Sequence, residues 1–195
     1  MRMGGFTVLE SLPGPAVWRE LRSEAARSVG KASLSVVDGS ASTEERGGNP
    51  ARRFLHASGG QAQGAFYRSA FVAETLSALC GAAVEPTGLR GTYTYYVRPN
   101  HHLALHRDIE TCDVAVITCI CAPASGNAGG LCVYPSRCGE YLSEIRVTPK
   151  QGQVRVPLRA GQTIVLLGGI VPHLVQPLSE EQPRVVSVLC YRATT

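Results

Sequence analysis

The chain has 195 residues, a length that suits one domain able to bury a sizeable core. Hydrophobic residues at 44% and charged residues at 17% exclude an intrinsically disordered chain. The formal charge of +4 is scattered, with no run of five or six like charges and no apolar stretch of membrane-spanning length, which argues against a nucleic-acid-binding arm and against a membrane anchor. In chain order, residues 1–89 read as a mostly helical leader with a loop. Residues 6–9 suggest a short strand, and residues 16–27 space their apolar side chains as a helix does, with Pro13 and Pro15 near its start. Residues 38–62 are rich in Gly, Ser and charge and read as a loop. Residues 63–79 carry Phe66, Tyr67, Phe71, Leu76 and Leu79 at helical spacing, with Gly81 placed to end the helix.

From residue 90 the apolar period becomes two. Strands are expected at 92–98, 103–108, 114–121, 130–134, 154–158, 162–167, 171–178 and 185–191, separated by Gly, Pro and Asn. Eight short strands after a helical leader predict an α+β, mainly β protein. Its core would be a double-stranded β-helix of the jelly-roll or cupin kind over 90–192, with N-terminal helices packed outside and one domain spanning 1–195.

The chemistry-bearing pattern is His106-Arg107-Asp108. In a strand, positions two apart share a face, so an imidazole and a carboxylate point the same way. His173 lies on the seventh expected strand, which in a jelly roll can run beside the second. Two histidines and one carboxylate cover one face of an octahedral metal and leave three positions open, as in non-haem Fe(II) oxygenases. Arg184, at the start of the last strand, has the planar fork that binds a carboxylate bidentately. Tyr96 offers a hydroxyl to the same group, with Tyr95 as the alternative if the strand presents its other face.

The ordered set Tyr96, His106-x-Asp108, Gly161-Gln-Thr-Ile-Val-Leu-Leu, His173 and Arg184 resembles the 2-oxoglutarate/Fe(II)-dependent dioxygenase superfamily, most of all its prolyl-hydroxylase-like branch, over about residues 90–192. The resemblance implies Fe(II) as metal, 2-oxoglutarate and O2 as co-substrates, and oxidation of a substrate coupled to decarboxylation of 2-oxoglutarate to succinate. Many relatives place a serine two residues after the arginine. Here Ser187 follows Arg184 by three and falls on the opposite face of the strand. Halogenating relatives replace the carboxylate ligand with a small residue, so Asp108 points away from halogenation and towards hydroxylation, desaturation or ring closure. A metalloenzyme of the same fold working without 2-oxoglutarate, and a non-catalytic binding jelly roll, are the competing readings.

Seven cysteines, with no C-x-x-C pair and no apolar leader at the start, lead to the expectation of a reduced, cytoplasmic setting. Cys119 and Cys121 are expected as packing residues, His56, His101 and His102 as loop or surface histidines, and Arg98, Arg107 and Arg192 as solvated. Little chain is inserted between strands, which favours a small-molecule substrate such as an amino acid or specialised metabolite. The 38–62 and 122–129 segments are candidate lids.

Overall fold

The computed structural model describes residues 4–39, 46–122, 130–178 and 183–194. In chain order the leader forms β1 (Phe6–Leu9), α1 (Gly14–Ser28), β2 (Ser33–Val37), β3 (Arg52–Ser58), α2 (Gln61–Tyr67), α3 (Ala70–Cys80) and β4 (Ala83–Pro86). There follow β5 (Thr92–Tyr96), β6 (His102–His106), β7 (Val114–Cys121), β8 (Leu131–Val133), α4 (Leu142–Val147), β9 (Val154–Val156), β10 (Thr163–Leu166), β11 (His173–Val175) and β12 (Arg184–Thr194). All pairings are antiparallel, in the spatial order β1-β10-β7-β12-β5-β3-β6-β11-β8-β9, with β2 on β3 and β4 on β12. This curled, largely antiparallel sheet with few helices is the double-stranded β-helix expected from the sequence.

The strand period of two sorts the core into two apolar layers. Tyr93, Tyr95, Val116, Val165, Leu189 and Tyr191 face α1, α2 and α3 on the outer side. Tyr96, Ala115, Ile117, Ile164, Leu166 and Val186 face into the barrel. The helices pack outside, as expected.

The strand expected at 6–9 forms as β1, but the leader also supplies β2, β3 and β4, with β3 between β5 and β6 in a segment read as loop. The single helix expected over 63–79 breaks at Arg68-Ser69, where the Ser69 N–H turns to the Phe66 carbonyl at 3.2 Å. Gly81, in the left-handed conformation at φ 71°, ends α3 as expected.

Glu24 shows how α1 is locked to the sheet. It follows the buried Leu21 by one turn and is itself 7% exposed. Its carboxylate accepts from the N–H groups of Gly60 (3.1 Å), Ala62 (2.8 Å) and Gln63 (3.0 Å), and from the Tyr93 hydroxyl at 2.9 Å. It is thus the anion at the N-terminus of α2, where unpaired N–H groups converge and where α2 has no side-chain cap of its own. Burial would raise its pKa, but these four donors outweigh burial and hold it below its ordinary value of 4.5. A group whose folded pKa is depressed stabilises the fold above its unfolded pKa, and that contribution fades as pH falls through the folded value. Glu24→Gln is expected to cost about 3 kcal/mol at pH 7 and lower the melting temperature, with the gap to wild type closing as pH drops below 4.5. Thermal melts of both proteins across that pH range check this.

Candidate metal centre

β6 and β11 pair so that His106 and His173 are direct cross-strand partners, and their ring centroids lie 4.2 Å apart. Each ring is oriented from behind. His106 Nδ1 sits 2.8 Å from the Ala104 carbonyl and His173 Nδ1 sits 2.9 Å from that of Val171. With those nitrogens donating, both Nε2 atoms are left as bases. Asp108 lies two residues beyond the end of β6, where its N–H donates to the Gly168 carbonyl at 2.8 Å. Its Oδ1 is 3.7 Å from His106 Nε2 and 3.6 Å from His173 Nε2, and the three donor atoms lie within 4.8 Å of one another.

His106 is held below its ordinary pKa, first by burial and then by the charge on His173. Burial works the same way on His173, but the Asp108 carboxylate outweighs it and the pKa rises. Asp108 would be raised by burial, yet the charge on His173 and the nearness of both imidazoles pull it well below the carboxylate range. The Asp108 and His173 side chains thus favour each other's charged forms. Two nitrogen donors and one carboxylate oxygen on one side of a point fit a divalent transition metal that keeps open positions.

Gly168 is fitted to this arrangement. A methyl group there would run into the Asp108 carboxylate. Gly168→Ala is expected to weaken metal binding by about ten- to a hundredfold, the range typical of lost ligand orientation, with little change in melting temperature. Titration of metal-free protein with Ni(II) measures this.

Next to the three donors is a cavity of about 120 Å³ with apolar walls that include Phe54, Leu103, Ile117, Leu131 and Val186. Its polar lining beyond the metal ligands is Thr94, Tyr96 and Arg184. Arg184 and Tyr96 are cross-strand partners on β12 and β5, with the guanidinium carbon 5.2 Å from the centre of the Tyr96 ring. Arg184 is 5% exposed, and its Nη1 has no hydrogen-bond partner among the described residues. A buried cation with an unpaired donor needs an anion. Burial pushes the Tyr96 hydroxyl up to about 12, with the guanidinium offsetting only part of the rise, so Tyr96 is neutral and able to donate.

The sequence matches no protein-family model and no curated protein sequence. Solved structures do match. The epimerase SnoN, in complex with Fe3+, α-ketoglutarate and nogalamycin RO, is 15% identical with a TM-score of 0.74, over 100% of this chain and 81% of its own. HygX from Streptomyces hygroscopicus, with nickel, 2-oxoglutarate and hygromycin B bound, is 14% identical with a TM-score of 0.68, over 98% and 84%. A Pseudomonas putida prolyl-4-hydroxylase is 14% identical with a TM-score of 0.57, over 98% and 94%. The chain has the fold of the 2-oxoglutarate/Fe(II) oxygenases.

Within that fold, His106, Asp108 and His173 converge, and Arg184 and Tyr96 share the adjoining cavity. Tyr95 turns outward and donates to the Ala25 carbonyl at 2.8 Å, so of the two tyrosines only Tyr96 lines the cavity. Ser187 also points away from it and accepts from Gln63 Nε2 at 2.7 Å on the outer face. Thr94 is a cavity residue the sequence reading did not single out, although its parity with Tyr96 on β5 was the available signal.

Some bland expectations change. His101 is 2% exposed rather than loop-solvated, with Nδ1 3.3 Å from the Tyr95 carbonyl. Arg107 donates to the carbonyls of Ile170, Cys138 and Glu140 instead of standing in water. Cys112 and Cys190 form a disulfide between chain segments 78 residues apart, against the expectation of a reduced setting. Cys119 is buried in packing, as expected, and His56 is exposed. Among the described residues no helix is long and apolar enough to cross a membrane.

Proposed function

We propose that this protein is an Fe(II)- and 2-oxoglutarate-dependent oxygenase acting on a small molecule. The observation that carries the reading is the buried Arg184 guanidinium, whose Nη1 has no partner among the described residues, in a cavity that also holds the His106/Asp108/His173 cluster. His106, Asp108 and His173 would hold the iron. When bound, the iron supplies the O2-activating redox chemistry that couples decarboxylation of 2-oxoglutarate, to succinate and CO2, with substrate oxidation. The chain's own part is positional. Arg184 and Tyr96 fix the distal carboxylate of 2-oxoglutarate, so that its keto-acid end meets the metal in one orientation. The apolar walls exclude water from the space between them. The Nδ1 contacts with the Ala104 and Val171 carbonyls keep both imidazoles aimed.

SnoN and HygX were crystallised with nogalamycin RO and hygromycin B, and SnoK is described as a carbocyclase from nogalamycin biosynthesis. These likenesses support a specialised-metabolite substrate, with hydroxylation, ring closure or epimerisation as the outcome. Purified protein given Fe(II), 2-oxoglutarate, O2 and a substrate should form one succinate and one CO2 for each substrate oxidised. Oxidation of a substrate without any need for 2-oxoglutarate would favour the cupin-like alternative and overturn this reading.

A further inference from the structure

We propose that Arg46 is the positioning residue that sets the Asp108 carboxylate for metal binding, an inference that rests on the iron site proposed above. Asp108 opens an irregular loop between β6 and β7, beyond the reach of the β6–β11 ladder that orients the two histidines. The far end of that loop is tied to β12. The Asp113 N–H donates to the Tyr191 carbonyl, Asp113 Oδ2 accepts from the Ala193 N–H at 3.0 Å, and Cys112 is bonded to Cys190.

Arg46, 62 residues before Asp108 in sequence, spans the gap between the tied end and the ligand. Its Nη2 donates to the carbonyls of Ile109 (2.8 Å), Glu110 (3.1 Å) and Cys112 (3.0 Å). Its Nε reaches the Asp108 carbonyl at 3.4 Å, and its Nη1 pairs with Asp113 Oδ1 at 3.0 Å. Carbonyl oxygens gathered this closely repel one another unless a cation lies between them. The same guanidinium lies against Gly169, where a methyl group would run into its central carbon, and Gly169 precedes His173 by four residues. One side chain therefore clasps the segment that carries Asp108 and lies against the segment that leads to His173. The planar fork matters as much as the charge, because a lysine ammonium offers three donors from one point whereas the guanidinium offers five from a plane.

The test compares wild type, Arg46→Gln and Arg46→Lys as metal-free protein, by Co(II) titration followed in the visible spectrum and by hydrogen exchange of amides 109–113. Both variants are expected to bind Co(II) about ten- to a hundredfold more weakly than wild type. Faster exchange should be confined to that loop, with β5 and β12 protected as before. A Lys variant that restores full affinity would overturn the inference, because charge alone would then suffice. So would variants that match wild type in both readouts. Should Arg46→Gln fail to fold, Arg46→Lys decides by the same two measurements. Wild-type protein that binds no Co(II) would instead overturn the metal site, and the role of Arg46 with it.

Discussion

Replacing His106, Asp108 or His173 with alanine is expected to lower 2-oxoglutarate turnover by about three orders of magnitude or more, with the fold intact. The size of the effect follows from the geometry. Asp108 Oδ1 stands within 3.7 Å of both Nε2 atoms, so each donor is one corner of a single triangle. Removing one leaves two, and two do not hold a labile divalent metal in one orientation. The three losses should also be non-additive, because each abolishes the same bound state. Alanine at Asp108 or His173 also removes one partner of a buried ion pair, so these metal-free variants are expected to melt below wild type while remaining folded. Metal content, succinate formation and melting temperature, measured together on each variant, check the pattern. Loss of turnover with full metal retention in any of the three would contradict it.

Arg184→Gln is expected to raise the KM for 2-oxoglutarate by roughly a hundred- to a thousandfold while leaving metal affinity nearly unchanged. Truncating one partner of a buried, hydrogen-bonded charge pair costs about 2–5 kcal/mol. Arg184 is 5% exposed with an unpaired Nη1, so water does not replace the lost contact in the wild-type geometry. Tyr96→Phe removes one neutral donor and should cost about 1 kcal/mol, a rise in KM of several-fold. Steady-state kinetics at varied 2-oxoglutarate separates the two effects. An Arg184→Gln enzyme with normal KM would move the distal carboxylate elsewhere.

The barrel and its site were legible wherever one face of a strand is apolar throughout. β5, β7, β10 and β12 read as short runs rich in β-branched and aromatic residues, buried on both faces in β7 and β10, and the three-residue spacing on β12 separated Arg184 from Ser187. The pair His106-x-Asp108 was readable for the same reason, although Asp108 proves to lie past the strand end. β3 was not legible. Its sequence, Arg-Arg-Phe-Leu-His-Ala-Ser, mixes exposed and half-buried positions and follows a run of Gly, Asn and Pro, so neither period stands out. The Cys112–Cys190 bond joins positions that only the β7–β12 register brings together. Arg46 was invisible for a related reason, because four of its five partners are backbone carbonyls, which carry no signature in the sequence. Of the two expected lid segments, residues 40–45 and 123–129 lie outside the described residues.

The most direct test of the central claim is an anaerobic titration of Fe(II)-loaded protein with 2-oxoglutarate, followed by the visible charge-transfer absorption of an iron-bound keto acid. The structure predicts a band that saturates at one 2-oxoglutarate per chain, disappears in His173→Ala and needs far more 2-oxoglutarate in Arg184→Gln. A protein that binds both iron and 2-oxoglutarate yet shows no such band, or shows it undiminished in His173→Ala, would contradict the account.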